Sequence, residues 1–466
     1  MRRFEIIIAV CILFSSYEVT GQQSRTLFFM HDLPQAAYVN PAIQPRCNLM
    51  IGIPALNSLY INATSTGFSY NDLSAGEQQL NIESIADGLH SVDYLTSEIH
   101  ANLITLGYRY SDFYFTFNIA EKVDVKAFYP SKIIDLAVYG NDNLIGRTMS
   151  TTGLGANATH LREYSLGIAK ETNDQLSWGA RAKLIFGKAN ITTRRKPFSF
   201  TTEDGSYNLL AEWAAQVNAS FPLVVTTNDE NEVNGIDVGE INIMKYLFNR
   251  LNIGFAADFG VIYKTDPIVW SASILDLGAT WWRSDTHQFN NTGSFAFNGL
   301  TDDDLNNTGE LLETLSDSIQ NQIKVFENTE TYASTLCPKV NVGGTYGFHP
   351  NFNAGVLVRT EFYPRRPVPS LTLSLNTVQL EYLAGSISYS IMNGSYNNVG
   401  VGLGIGSKNF VFHLISDNVL AFIWPNKAQT ANLRFGMNLL FGCSEKQQKK
   451  KKKSFKYSGP GCYTYR

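Results

Sequence analysis

A two-residue alternation of apolar and polar side chains, sustained far along each run, limits what this chain can fold into more than any other feature. From Leu251 to Tyr263, one face carries Leu251, Ile253, Phe255, Ala257, Phe259, Val261 and Tyr263. The other carries Asn252, Gly254, Ala256, Asp258 and Gly260, with Ile262 the one apolar exception. Successive side chains of a strand point to opposite faces, so this run is a ribbon with one apolar side and one small or polar side. It outlasts the ~5–6 residues of an ordinary soluble strand and suits a tilted strand crossing a membrane.

The pattern recurs. Leu176, Trp178, Ala180, Ala182, Leu184 and Phe186 alternate with Ser177, Gly179, Arg181 and Lys183. A charge facing mid-bilayer lipid costs ~2–4 kcal/mol, so Arg181, Lys183 and Asp258 are expected to face a wet lumen. The last ribbon sets Leu433, Phe435, Met437, Leu439 and Phe441 against Asn432, Arg434, Gly436 and Asn438, which turns Arg434 to the lumen as well. Short turns such as Ser111-Asp112 and His349-Pro350-Asn351 join neighbouring ribbons, and Tyr, Phe and Trp gather near their ends as interfacial girdles do. Val399 to Gly406 alternates Val399, Val401, Leu403 and Ile405 with four glycines. That glycine face either leaves room for something packed on the inner wall or marks a sharply bent strand.

These ribbons describe an all-β chain, a transmembrane antiparallel up-and-down β-barrel with short helical insertions. Counting by pattern gives about sixteen or seventeen strands, whereas closed single-chain bacterial barrels need an even number. Lys132 to Tyr139 is the weakest of them. A soluble β-sandwich is the alternative architecture, but such proteins rarely sustain long amphipathic strands from end to end. No run approaches the ~18 apolar residues of a membrane-spanning helix.

The two ends differ from the body. Arg2 and Arg3, the apolar stretch Ile6 to Phe14, and Val19-Thr20-Gly21 read as a signal peptide over 1–21, cleaved between Gly21 and Gln22. The tail 442–466 carries eight basic residues and one acidic, a charge of +7, so the overall −4 conceals an acidic body. The Lys449 to Lys453 run is expected to be a solvated, periplasmic, anion-contacting segment; no nucleic-acid partner is expected for an exported chain. Beyond the signal, Cys47, Cys337, Cys443 and Cys462 allow three pairings, with a Cys443–Cys462 loop or free thiols both open.

Two stretches carry helical spacing: Ile82, Ile85, Leu89, Val92, Leu95 and Ile99, then Leu311 or Leu312, Leu315, Ile319, Ile323 and Phe326. Both read as helices in loops or capping a barrel mouth. Ahead of the second, Asp302, Asp304, Asn306, Thr308 and Glu313 fall at calcium-loop offsets. Asn307 replaces the turn glycine, so acidic residues gathered at a helix N-terminus are the plainer reading.

Tyr38-Val39-Asn40-Pro41-Ala42 resembles the Asn-Pro-Ala element near the N-terminus of FadL-type outer-membrane barrels. Thr66 to Asp72, Ile274 to Gly278, Ser416 to Val419 and Leu433 to Asn438 resemble segments of an uncharacterised Bacteroidota family of outer-membrane barrels, in the same order along the chain. The resemblance implies about 14 strands, within about 12–16, and an N-terminal plug that puts Asn40, Pro41 and Ala42 in the lumen. The chain then divides into signal 1–21, plug-like segment 22–58, barrel 59–441 and tail 442–466. The wider group also includes an accessory barrel of the type IX secretion machinery.

No nucleophile elbow, zinc motif or phosphate-cradling loop occurs, and the seven histidines lack ligand spacing. Neither an enzyme nor a cofactor is expected. Two readings remain for a bacterial outer-membrane protein in contact with lipid. One is passage of apolar or amphipathic small molecules through a plugged lumen with an apolar pocket. The other is a non-transporting scaffold or accessory barrel that binds periplasmic or secretion-complex proteins.

Overall fold

The computed structural model describes residues 24–69, 89–139, 145–151, 154–194, 198–205, 208–297, 324–362, 367–378, 383–392, 395–407, 409–425 and 428–443. Among them, fourteen strands close into one antiparallel barrel. The first five are β1 (Leu49–Gly52 and Ser58–Ser65), β2 (Asp93–Tyr110), β3 (Phe113–Tyr129), β4 (Gly155–Glu171) and β5 (Leu176–Arg194). Three composite strands follow: β6 (Leu209–Ser220 and Ile253–Thr265), β7 (Ile268–Trp282 and Thr286–Phe297) and β8 (Val325–Asn328, Tyr332–Thr335 and Lys339–His349). The wall ends with β9 (Phe352–Phe362), β10 (Pro367–Thr377), β11 (Leu383–Met392), β12 (Ser395–Ser407), β13 (Phe410–Ser416) and β14 (Thr430–Phe441). Each pairs with the next, and β14 returns to β1 with Leu59 opposite Phe435, so the wall has no free edge.

The alternation acts as its physics requires. In β6, Phe255, Phe259, Val261 and Tyr263 are exposed outside while Gly254, Ala256 and Asp258 are buried. One end of the barrel has tight turns, at 111–112, 266–267 and 350–351; the other has longer connections, among them the helix α2 (Ser131–Tyr139).

Three expectations are corrected. The pattern count of sixteen or seventeen exceeds fourteen because runs separated in sequence share one wall position. Leu209–Ser220 and Ile253–Thr265 both pair with β5, one above the other. Lys132 to Tyr139 is helical, since its apolar residues Ile133, Ile134 and Leu136 cluster instead of alternating. Leu95 and Ile99, read as part of a helical stripe, stand on the exposed face of β2. Ile82 and Ile85, the second helical stretch up to Ile323, and the calcium set Asp302, Asp304, Asn306, Thr308 and Glu313 lie outside the described residues. So do Gly21, Gln22 and the tail from 444 onward.

Candidate functional site

Residues 24–47 do not join the wall; most of them are buried inside the barrel. Leu27, Phe28, Phe29, Met30 and Leu33 are apolar on all sides and can be satisfied only by burial in every direction. The described segment starts with the short helix α1 (Arg25–Phe29), continues through a 3₁₀ turn over Pro34–Tyr38 and reaches β1 at Leu49. Pro34 opens that turn, where its missing N–H costs nothing. The amides of Thr26 and Arg25 donate to the Asp417 carboxylate at 2.8 and 3.3 Å, tying the start of α1 to the β13–β14 connection. Burial pushes the Arg25 guanidinium down from its ordinary range, and Asp417 opposes that shift. Each fully buried large apolar side chain contributes roughly 1.5–3 kcal/mol, so apolar burial supplies most of the hold on this plug.

On the β12 side the contact is steric. A Cβ added at Gly400 would meet Thr26, at Gly402 Met30, and at Gly404 Leu33. Of the two readings of the glycine face, the one with something packed against the inner wall describes these three positions. Gly406 meets the backbone of Phe410 instead.

On the opposite side, β5 to β8, hydrogen bonds join the apolar contacts of Ile262 and Val269. The Asn40 side-chain amide donates to Ser271 Oγ (2.8 Å) and to the Val261 and Ala272 carbonyls (3.3 Å each), while its Oδ1 accepts from the Ala42 amide at 2.9 Å. The Val39 carbonyl accepts from Ser273 Oγ at 2.6 Å and from Asn341 Nδ2 at 3.3 Å. Pro41 lies against Gly179 and Gly260, where any Cβ would collide with the Pro41 carbonyl or with Asn40. Asn40, Pro41 and Ala42 are thus buried against the wall.

The inward charges form a collar next to this contact. Arg181 donates to the Ala37 carbonyl (2.7 Å) and pairs with Asp258 (3.1 Å). Lys183 lies 2.7 Å from Asp258 and 2.5 Å from Asp276; Lys339 lies 2.6 Å from Asp276. Lys122–Glu163 at 2.6 Å and Arg359–Glu361 at 2.8 Å extend the network. Arg434 stands apart from it, donating to Ser58 Oγ at 2.9 Å and Ser24 Oγ at 3.0 Å. Buried pairs of this kind add little net stability but make a wrong arrangement costly, because a lost partner leaves a bare charge. A cavity of about 20 Å³ between plug and wall, bordered by Gln35, Tyr38, Thr105 and Arg181, has room for one water.

Sequence reasoning missed Asp276 as the centre of the collar. Its signal was a break in alternation, Ile274-Leu275-Asp276-Leu277. There the backbone turns to φ 58° and the Asp276 amide donates to Asp258 Oδ1 at 2.8 Å. Of the pairings left open by the sequence, the structure forms Cys47–Cys443, which ties the exit of the plug to the residues following β14 and takes Cys443 away from Cys462.

The model of a family of unknown function (DUF5723) matches residues 41–417. No curated protein matches the chain. Among solved structures, the Ralstonia pickettii toluene transporter TbuX is similar at 10% identity and a TM-score of 0.42, over 91% of this chain and 99% of that one. The Pseudomonas putida toluene transporter TodX is similar at 9% identity and 0.37, over 91% and 97%. A Pseudomonas aeruginosa FadL homologue is similar at 9% and 0.32, over 92% and 100%. At such scores these likenesses carry no argument about this chain's cargo.

Proposed function

The chain belongs to the DUF5723 family of unknown function, and from that premise we propose that it is an outer-membrane barrel held shut by its own N-terminal segment. Its exposed outer face supports the membrane placement. Phe255, Phe259, Trp270, Leu373, Leu375 and Ile387 all point away from the interior, where only lipid would cover them. Short turns then lie in the periplasm and long connections outside.

The role that fits best is a non-transporting scaffold or accessory barrel of a cell-surface or secretion complex. The observation behind it is the double lock on the plug: buried apolar residues on one side, backbone hydrogen bonds and a paired charge collar on the other. In planar bilayers the purified barrel is expected to conduct almost nothing, and deletion of 24–46 to open it. Steady conductance from the intact protein would sink the reading. The tail is the natural candidate for partner contact; co-purifying partners should drop away when 444–466 is removed and Cys443 retained.

A second reading, passage of apolar or amphipathic small molecules, draws on the apolar, side-chain-only contact of Phe28, Phe29 and Met30 with the wall. An apolar solute competing for that surface would loosen the plug. Ligand extracted with the purified barrel would favour this reading over the first.

A further inference from the structure

Strand β6 is cut in the middle. Its upper part ends at Ser220, its lower part resumes at Ile253, and the intervening residues leave the wall. They form a hairpin (Leu223–Thr227 with Val233–Val238) and the helix α3 (Ile243–Leu247). Asn252 closes the seam. Its carbonyl accepts from the Gly187 amide at 2.8 Å, and its side chain accepts from the Arg283 and Ser284 amides at 2.7 and 2.9 Å. The excursion is therefore a built part of the wall.

Strand parity tells on which side α3 lies. In β3, Lys122, Asp124 and Lys126 face the collar, whereas Val123 and Val125 are exposed outside, so Glu121 points outward. Its register partner Arg162 and the neighbouring His160, opposite Val123, share that outer face. These outward groups are the ones α3 covers. Tyr246 Oη lies 2.8 Å from His160 Nδ1, Phe248 lies under the Arg162 guanidinium at 5.6 Å, and Lys188, the extra residue of a bulge in β5, donates to the Asn249 carbonyl at 2.8 Å. The helix thus lies on the outside of the barrel, with Tyr246 turned in to a charged cluster.

Its other side is open and mostly apolar, with Lys245 the exposed polar exception. Ile243 is 67% exposed, Met244 64% and Leu251 64%, and Phe248, at the border with the cluster, keeps 55% of its surface open beside Arg162. Leu251 leads directly into the outward face of lower β6, whose Phe255 and Phe259 belong to the lipid-facing band. We propose that α3 and its flanks are an interfacial anchor embedded among outer-leaflet acyl chains, continuous with that band, and that the occupant of this surface is lipid. The arrangement satisfies both environments. Glu121, His160 and Arg162 would be costly facing lipid directly, and the excursion covers them while extending the apolar surface outward.

The inference rests on the membrane placement proposed above, and the test separates the two. Nitroxide labels are placed singly at Met244→Cys, Phe248→Cys, Phe259→Cys and Asp229→Cys, in a Cys337→Ser, Cys462→Ser background, in phosphatidylcholine vesicles. Labels at 244 and 248 should behave like the one at 259, accessible to oxygen and shielded from a water-soluble nickel chelate. The label at the hairpin tip, 229, should show the reverse. Chelate access at 244 and 248 with shielding at 259 would overturn the anchor and leave the surface to a protein partner. Chelate access at 259 as well would overturn the membrane placement itself.

Discussion

The plug meets the wall in two ways, and the difference shows which contact fixes its position. Against β12 it presents side-chain ends, Thr26, Met30 and Leu33, to a stripe of missing Cβ atoms. Against β5 to β8 it presents its own backbone, with the carbonyls of Ala37, Val39 and Pro41 at the wall. Side-chain ends can move into other rotamers, whereas a backbone carbonyl in a hydrogen-bonded turn cannot. The apolar side therefore supplies hold, and the polar side supplies register.

The sharpest way to break this comparison is Gly179→Val. The added atoms meet the Pro41 carbonyl, which has no alternative position, so overpacking costs at least ~1–3 kcal/mol and falls on the seat of the Asn40 turn. The plug is expected to be displaced in most molecules. Tryptic cleavage after the buried Arg25 would report it, together with a rise in bilayer conductance. Full protection of Arg25 would mean that the polar side yields as easily as the apolar one.

Asn40→Ala is next in size. It deletes the three donor contacts of the side-chain amide and the cap on Ala42 without adding bulk. At ~0.5–1.5 kcal/mol for each net hydrogen bond, the plug should stay in the lumen but open locally more often. Hydrogen exchange at residues 36–43 should accelerate while that of Leu27 to Met30 changes little. Equal acceleration in both stretches would mean that the two sides act as one unit.

The same contrast separates what the sequence makes legible from what it does not. A period of two assigns inside and outside, so the strand and its inward face of Gly254, Ala256 and Asp258 follow from β6 alone. The glycine face of β12 advertises a close neighbour, and the apolar run Leu27 to Met30 advertises burial, though neither names the other. The collar is hidden because its partners, Lys183, Asp258, Asp276 and Lys339, come from four strands, and Asp276 sits at a bulge that breaks the pattern. The severed β6 is hidden for a related reason. Two amphipathic runs separated by an excursion look like two strands until the wall shows them stacked on one neighbour. Helix α2 is hidden too, because a short apolar run fits either period.

Gly402→Ala should have the smallest effect of the three, and that is its value. The new methyl meets the Met30 sulfur and terminal methyl, the far end of an unbranched side chain with several rotamers. Relief by a rotamer change should hold the cost under ~1 kcal/mol, leaving Arg25 protected from trypsin and the bilayer silent. Loss of the plug from this one methyl, with Gly179→Val no worse, would reverse the assignment. Register would then reside in the glycine stripe, and the hydrogen bonds of Asn40 would be a consequence of seating instead of its cause.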